Sequence, residues 1–160
     1  MKKFNVKHLY WIIPSLVIAI VLLVLECLPN GVEMEFKWPI DGNTFASETK
    51  CYPYFSDMPY GYGNFAPIFI GIFTIAVIIL CITNIFVDKK GIDIAIVVLN
   101  TLKLIGSVVE LFLSRTAINW AVFALSIVFT VYSSVELALR IKSEKSISSP
   151  TDTSIDVQEG

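Results

Sequence analysis

The stretch that decides the fold is residues 93–114, DIAIVVLNTLKLIGSVVELFLS, an apolar run that nevertheless carries charged side chains. At about 100° per residue, all its polar residues except Thr101 would lie within roughly 100° of one another on a helix. This polar stripe consists of Asp93, Asn100, Lys103, Ser107, Glu110 and Ser114. A membrane helix must turn such a stripe toward protein or water, so the rest of the chain has to be arranged around it.

The composition is that of an integral membrane protein. The chain has 160 residues, of which 55% are hydrophobic and 16% charged, and its mean hydropathy is +0.71. Soluble domains have roughly 45–50% apolar and about 25% charged residues. The formal charge of −2 gives no reason to expect a nucleic-acid partner. One histidine and three cysteines form neither a zinc-type cluster nor a Cys-x-x-Cys motif, so we expect no metal and no cofactor.

Apolar runs predict four transmembrane helices, at 9–28, 66–87, 93–114 and 117–139. Each run would cover about 30 Å as a helix, enough to cross the bilayer core. The connections after the second and third runs are short, so the last three spans should run antiparallel to their sequence neighbours. The first run resembles a signal peptide, but it is long and has no small-x-small cleavage site, so we expect an uncleaved span. The sequence therefore predicts an all-α membrane protein, an antiparallel four-helix transmembrane bundle.

The distribution of basic residues predicts the topology. Eight lie on one side of the four-span arrangement: Lys2, Lys3, Lys7, Lys89, Lys90, Arg140, Lys142 and Lys145. Three lie on the other: Lys37, Lys50 and Arg115. By the positive-inside rule, both termini are expected in the cytoplasm, with the chain in the cell membrane. The end of the chain, 146–160, is polar, rich in serine and threonine and free of aromatic residues, so it is predicted to be a disordered cytoplasmic tail.

An outer loop, 29–65, connects the first two spans. In it Val32, Met34, Phe36 and Trp38 alternate with charged residues, which predicts a half-buried strand ending at Pro39. The turn sequence Asp-Gly-Asn at 41–43 and a second short strand at 44–47 would complete a β-hairpin. Since an isolated hairpin is marginal in water, this one should rest on the outer rim of the bundle or on a partner.

Aromatic residues and cysteines are the other notable features of this loop. The aromatic residues precede the second span: Tyr52, Tyr54, Phe55, Tyr60, Tyr62 and Phe65. They form either an interfacial aromatic belt, which we favour, or a contact surface for a protein or ligand. Cys27, at the end of the first span, and Cys51, in the loop, would lie on the same side of the membrane. Two free thiols are the favoured state, and a disulfide between them, which an oxidising compartment would permit, is the alternative.

Residues 54–67, YFSDMPYGYGNFAP, resemble a segment of a family of small four-span bacterial membrane proteins. Members share a basic start, a first span ending near Leu-Pro and a similar entry to the second span. The resemblance implies the four-span fold, but the family has no assigned activity and so implies no functional residue. In outline the chain is also similar to claudin-type proteins, which have four spans and a β-containing first outer loop. It lacks their paired loop cysteines and their Trp-Gly-Leu-Trp signature.

Spans three and four are expected to place their polar residues together. At matching depths, Glu110 would face Asn119, Asn100 would face Thr130, and Asp93 would approach Arg140. Such pairs are ordinary contacts between membrane helices, typically worth under about 1 kcal/mol each.

Lys103 is the residue that such contacts explain least, because an ammonium near the midplane costs roughly 2.5–3.5 kcal/mol. We expect span-four carbonyls and hydroxyls, or a carboxylate of another subunit, to hold it, or the side chain to be neutral. The candidate intramembrane polar site consists of Lys103, Glu110, Asn100, Ser107 and Glu26.

Two functional classes follow from this organisation. The favoured one is a scaffold or accessory subunit that contacts a membrane-protein partner, or other copies of itself, within the lipid bilayer. The alternative is a component for transport of a small solute, an ion or a proton, in which Lys103, Glu110 and Glu26 line the path. An enzyme is not expected, because metalloprotease, nucleophile-elbow and phosphate-loop motifs are missing. A Ser107/Lys103 dyad is the one catalytic arrangement that the spacing would permit.

Overall fold

The computed structural model describes residues 6–56 and 64–148 and contains four long helices. They are α1 (Val6–Glu26), α2 (Ala66–Val87), α3 (Lys90–Leu113) and α4 (Ala117–Ser148). All four are long and apolar enough to cross a membrane, as the hydrophobic runs predict.

The helix ends depart from prediction mainly in α4, which continues to Ser148 instead of ending at 139. Residues 140–148 are mostly polar, so a hydrophobicity criterion misses them, yet arginine, lysine and glutamate in this segment favour a helix. The predicted tail therefore overlaps the helix at 146–148. The rest of that tail, 149–160, lies outside the described residues.

Each of the four helices packs mainly against two others. α2 and α4 both pack against α1 and against α3, so α1 and α3 occupy opposite corners. Along α3 the contacts with α4 pass from Asp93 with Arg140 to Asn100 with Ser133, so residue numbers rise on one helix and fall on the other.

The surface of the bundle is apolar, whereas much of its interior is polar. Phe86, Phe112 and Val131 are 75%, 79% and 59% exposed, whereas polar side chains from all four helices are buried. This is the reverse of a soluble protein and is the distribution expected of a multi-pass membrane protein.

Two strands between α1 and α2 form the predicted β-hairpin. They are β1 (Val32–Asp41) and β2 (Thr44–Tyr52), paired antiparallel around a two-residue turn. The strands are longer than predicted, since Pro39 pairs with Phe45 and does not end β1, and β2 continues past 47. Both strands of a two-stranded sheet are edges, where a proline without an N–H group is tolerated, and the pairing shifts register just beyond it.

The base of the hairpin is seated on the end of the helical bundle. Val32 and Met34 are buried there, and the Glu33 amide donates to the Ser114 hydroxyl at 2.8 Å. The Thr116 hydroxyl donates a hydrogen bond to the Gly31 carbonyl at 2.8 Å. It also accepts a hydrogen bond from the backbone amide of Asn119 at 3.1 Å, close to the start of α4. The hairpin is thus fixed to the α3–α4 connection.

Candidate functional site

The polar stripe of α3 faces the interior of the bundle. Asp93, Asn100, Lys103, Ser107 and Glu110 are all buried, while Thr101, outside the stripe, is exposed. Polar groups removed from water require internal partners, and the contacts of the stripe therefore determine how the bundle is held together.

Lys103 of α3 forms an ion pair with Glu26, the last residue of α1. Its Nζ lies 3.0 Å from Oε1 of Glu26, and the two side chains are 2% and 0% exposed. The Thr74 hydroxyl of α2 donates to the same oxygen at 2.8 Å. The partner is thus a carboxylate of the same chain, on α1, and not one of the groups expected from the sequence. The flexible four-carbon stem of lysine allows the ammonium to reach the end of α1.

Glu26 also connects α1 to the segment that follows the hairpin. Its backbone carbonyl accepts the Tyr54 amide at 3.0 Å. Among the described residues, its second carboxylate oxygen, Oε2, has no hydrogen-bond partner. Lys103 therefore neutralises the charge of Glu26, but within the described residues only one of the two Glu26 carboxylate oxygens has a hydrogen-bond partner.

Glu110 lies nearer the end of α3 and has a neighbour that the sequence did not predict, in addition to the expected Asn119. The side-chain amide of Asn64, just before α2, donates to Oε2 of Glu110 at 2.8 Å. Asn119 contacts Glu110, as the sequence predicted, and its side-chain amide also donates to the Ser114 carbonyl at 2.9 Å. Oε1 of Glu110 has no hydrogen-bond partner in the described part of the chain, and the residue is 0% exposed.

Tyr54 closes this end of the polar interior. Its ring is 1% exposed, and its hydroxyl donates to Oδ1 of Asn119 at 2.5 Å. Burial raises the pKa of the Tyr54 phenol, so the hydroxyl stays protonated and able to donate.

The sequence did not reveal that Tyr54 is an interior residue, because it stands among other aromatic residues next to a span. Tyr54 therefore belongs neither to an interfacial aromatic belt nor to an exposed contact surface. Phe55 and Phe65 are exposed, at 39% and 62%, and Tyr60 and Tyr62 lie outside the described residues.

At the other end of the bundle, Arg140 joins α4 to α3 and to the α2–α3 connection. Its guanidinium pairs with Asp93, as the sequence predicted, and with Oδ1 of Asp88 at 2.8 Å. The Asn84 amide of α2 donates to the other oxygen of Asp93. The Arg140 guanidinium and the Asn84 amide thus share the buried Asp93 carboxylate.

Between these two ends, Asn100 contacts α4. Its side-chain amide donates to the Ser133 hydroxyl at 3.3 Å, and the Thr130 hydroxyl lies 3.3 Å from the Asn100 carbonyl oxygen. Asn100 and Thr130 are therefore adjacent, as the matching depths predicted.

Ser107 and the cysteines make simpler contacts. The Ser107 hydroxyl donates to the backbone carbonyl of Lys103 at 3.0 Å, while the ammonium of Lys103 pairs with Glu26, so the two side chains do not form a nucleophile–base pair. Cys27 and Cys51 have free, exposed thiols, and Cys81 is buried.

The polar side chains extend along the bundle interior from Arg140 to Tyr54. In the described ranges, no group of three His, Cys, Asp or Glu side chains is placed to hold a metal ion. The arrangement can hold charge in a water-poor interior and can bind or release protons at its carboxyl groups. No family model, no curated protein and no solved structure matches this chain.

Proposed function

We propose that this chain is a non-enzymatic multi-pass membrane protein that acts as a scaffold or accessory subunit, binding another membrane protein through the tip of its outer hairpin. The observation that carries the proposal is an exposed apolar tip on an anchored hairpin. Trp38, Ile40 and Phe45, which define the hairpin tip, are 44%, 63% and 68% exposed.

The hairpin has the features of a protein-binding element. Large exposed apolar side chains are typical of interaction sites, and aromatic residues often provide most of the binding energy. Charged pairs lie alongside on the strands: Glu35 with Lys37 at 3.1 Å and Glu48 with Lys50 at 3.4 Å. An apolar centre with a charged rim is the usual arrangement of a transient interface.

The polar interior supports a structural role. Lys103, the costliest group to bury, is neutralised by Glu26 of the same chain, so its burial requires no second subunit. The ion pair and its Thr74 hydrogen bond connect three helices, which would stiffen the base on which the hairpin is seated.

The proposed arrangement is an antiparallel bundle in the cell membrane, with both termini cytoplasmic and the hairpin outside. The excess of basic residues on the side of the termini supports this orientation, and the opposite numbering of contacts along α3 and α4 supports the antiparallel arrangement.

The test of this orientation is thiol labelling of intact cells. A variant retaining only Cys51 should react with a membrane-impermeant maleimide, and one retaining only the buried Cys81 should not. Labelling of Cys51 only after permeabilisation would contradict the orientation.

Site-specific photo-crosslinking tests the binding role. A photoreactive residue at Phe45 should capture one discrete protein in native membranes, and Trp38→Ser should abolish the capture. Val131 provides the matched control, because it is similarly exposed but lies on the apolar surface of α4. Capture of lipid alone at Phe45, or the same products at Phe45 and Val131, would contradict the proposal.

The competing function is transport of a small solute, an ion or a proton through the bundle. The observation that favours it is that Glu26 and Glu110, both buried, each have one carboxylate oxygen without a hydrogen-bond partner among the described residues. Flux measurements in reconstituted vesicles separate the two functions. The scaffold proposal predicts no flux above empty vesicles, whereas a specific flux abolished by Lys103→Met in a folded protein would establish transport instead.

A further inference from the structure

Glu110 is a buried carboxyl group without a countercharge. It is 0% exposed, and the ion pairs of the described residues do not include it. Its Oε2 accepts a hydrogen bond from the neutral amide of Asn64, the neutral Asn119 lies beside it, and its Oε1 has no hydrogen-bond partner in the described ranges. An ionised carboxylate buried in this way is costly, and such groups usually become neutral.

The groups near Glu110 do not compensate the charge that an ionised carboxylate would have there. The Tyr54 phenol lies near both Glu110 and Glu26, Glu26 is paired with Lys103, and the neutral Asn119 of α4 contacts Glu110 in the described part of the chain. Lys103 is already paired with Glu26, and Tyr54 is neutral, so an ionised Glu110 would leave the group with a net charge of −1. One positive charge would balance it.

The neighbouring groups suit a proton better than a metal cation. The amide oxygens of Asn64 and Asn119 already accept hydrogen bonds from the Ala66 amide and the Tyr54 hydroxyl. The nearest amide therefore presents an N–H group to Glu110, whereas hard metal ions require several oxygen ligands. We propose that Glu110 is a proton-binding site and that its carboxyl group holds a proton in the folded bundle at neutral pH.

The bound proton would be linked to the segment that enters α2. Asn64 donates to Glu110 with its amide and accepts the Ala66 amide at 3.2 Å with its oxygen, so one side chain joins α3 to the start of α2. A carboxylate accepts a stronger hydrogen bond than a neutral acid. Release of the proton would therefore tighten the attachment of Asn64, at the end of the outer loop.

Infrared spectroscopy of the full chain in lipid vesicles at neutral pH tests the proposal directly. A protonated carboxyl gives a C=O stretching band that is separate from carboxylate and amide bands. The wild type and the exposed-site control Glu33→Gln should both show a component of this band that Glu110→Gln lacks. In Asn64→Ala the component should persist and move to higher frequency, because the carboxyl oxygen loses its hydrogen-bond donor.

Two results would overturn the proposal. One is a protonated-carboxyl band that is identical in wild type and Glu110→Gln, which would mean that Glu110 is ionised. The other is a change in the carboxylate bands of the wild type, absent in Glu110→Gln, when potassium is replaced by sodium, which would assign the site to a metal cation. Asn64→Ala retains the carboxyl group, so it gives a readout even if Glu110→Gln does not fold.

Discussion

The carboxylate of Glu26 lies 3.0 Å from the ammonium of Lys103, although the two residues belong to helices at opposite corners of the bundle. Both side chains are removed from solvent, and the Thr74 hydroxyl of the intervening helix α2 donates to the same carboxylate oxygen. Three helices therefore converge on one charged contact. Each partner neutralises the other, so removing either one alone would leave a buried charge uncompensated.

Gly31→Ala should destabilise the attachment of the hairpin. A Cβ at this position would lie 2.8 Å from the ring of Tyr54 and 3.3 Å from the Tyr52 carbonyl oxygen, and the buried ring has little space to move. Overpacking of this kind costs about 1–3 kcal/mol. Denaturant unfolding in detergent measures the loss. Gly42→Ala is the matched control, because its added Cβ would meet no atom within 4 Å. Equal effects at the two positions would show that the contact with Tyr54 is not tight.

Tyr54→Phe should lower the free energy of unfolding by about 1 kcal/mol, the usual contribution of one hydrogen bond. The ring still fills its site, but Oδ1 of Asn119 loses the hydroxyl that donates to it. Thermal unfolding monitored by circular dichroism gives the comparison. Tyr10→Phe, at a ring that is 74% exposed, should be neutral. A neutral Tyr54→Phe would mean that water replaces the hydroxyl and that this end of the bundle is open.

Arg140→Gln should destabilise the opposite end by roughly 1.5–3 kcal/mol, because the buried Asp93 loses a charged hydrogen bond. Arg140→Lys should recover only part of this loss, since the planar guanidinium contacts both Asp88 and Asp93 and an ammonium cannot reproduce that geometry. Lys142→Gln, at an exposed neighbour, is the control for loss of a basic residue. Thermal unfolding monitored by circular dichroism measures the stability of all three variants. Full stability in Arg140→Lys would contradict a guanidinium that contacts both Asp88 and Asp93.

The interior face of α3 could be predicted from the sequence because helical periodicity determines it. Asp93, Asn100 and Lys103 recur at intervals that place them on one side of any regular helix, and one polar side of an apolar helix is turned inward. The Asp93–Arg140 contact followed from the short connection between α3 and α4, which places these residues at similar depths.

The partners of Lys103 and Glu110 could not be predicted, because they depend on how distant segments meet. Glu26 precedes Lys103 by a long loop and another span, and helical periodicity does not show which corner α1 occupies. Asn64 and Tyr54 belong to an irregular segment whose composition resembles an interfacial belt. Both side chains point into the bundle because of the way the hairpin is seated on it. This is a tertiary contact, and no periodic pattern in the sequence indicates it.

The measurement that tests the central claim most directly is a double-mutant cycle on Lys103 and Glu26, read by unfolding in lipid-like micelles. Lys103→Met and Glu26→Gln should each cost roughly 3–5 kcal/mol, because each leaves a buried group without its partner. The double variant should cost clearly less than their sum, with a coupling energy of about 2 kcal/mol or more. The same cycle on the exposed pair Glu35 and Lys37, 3.1 Å apart, should give less than about 1 kcal/mol. Additive effects at Lys103 and Glu26 would contradict a bundle organised around this ion pair.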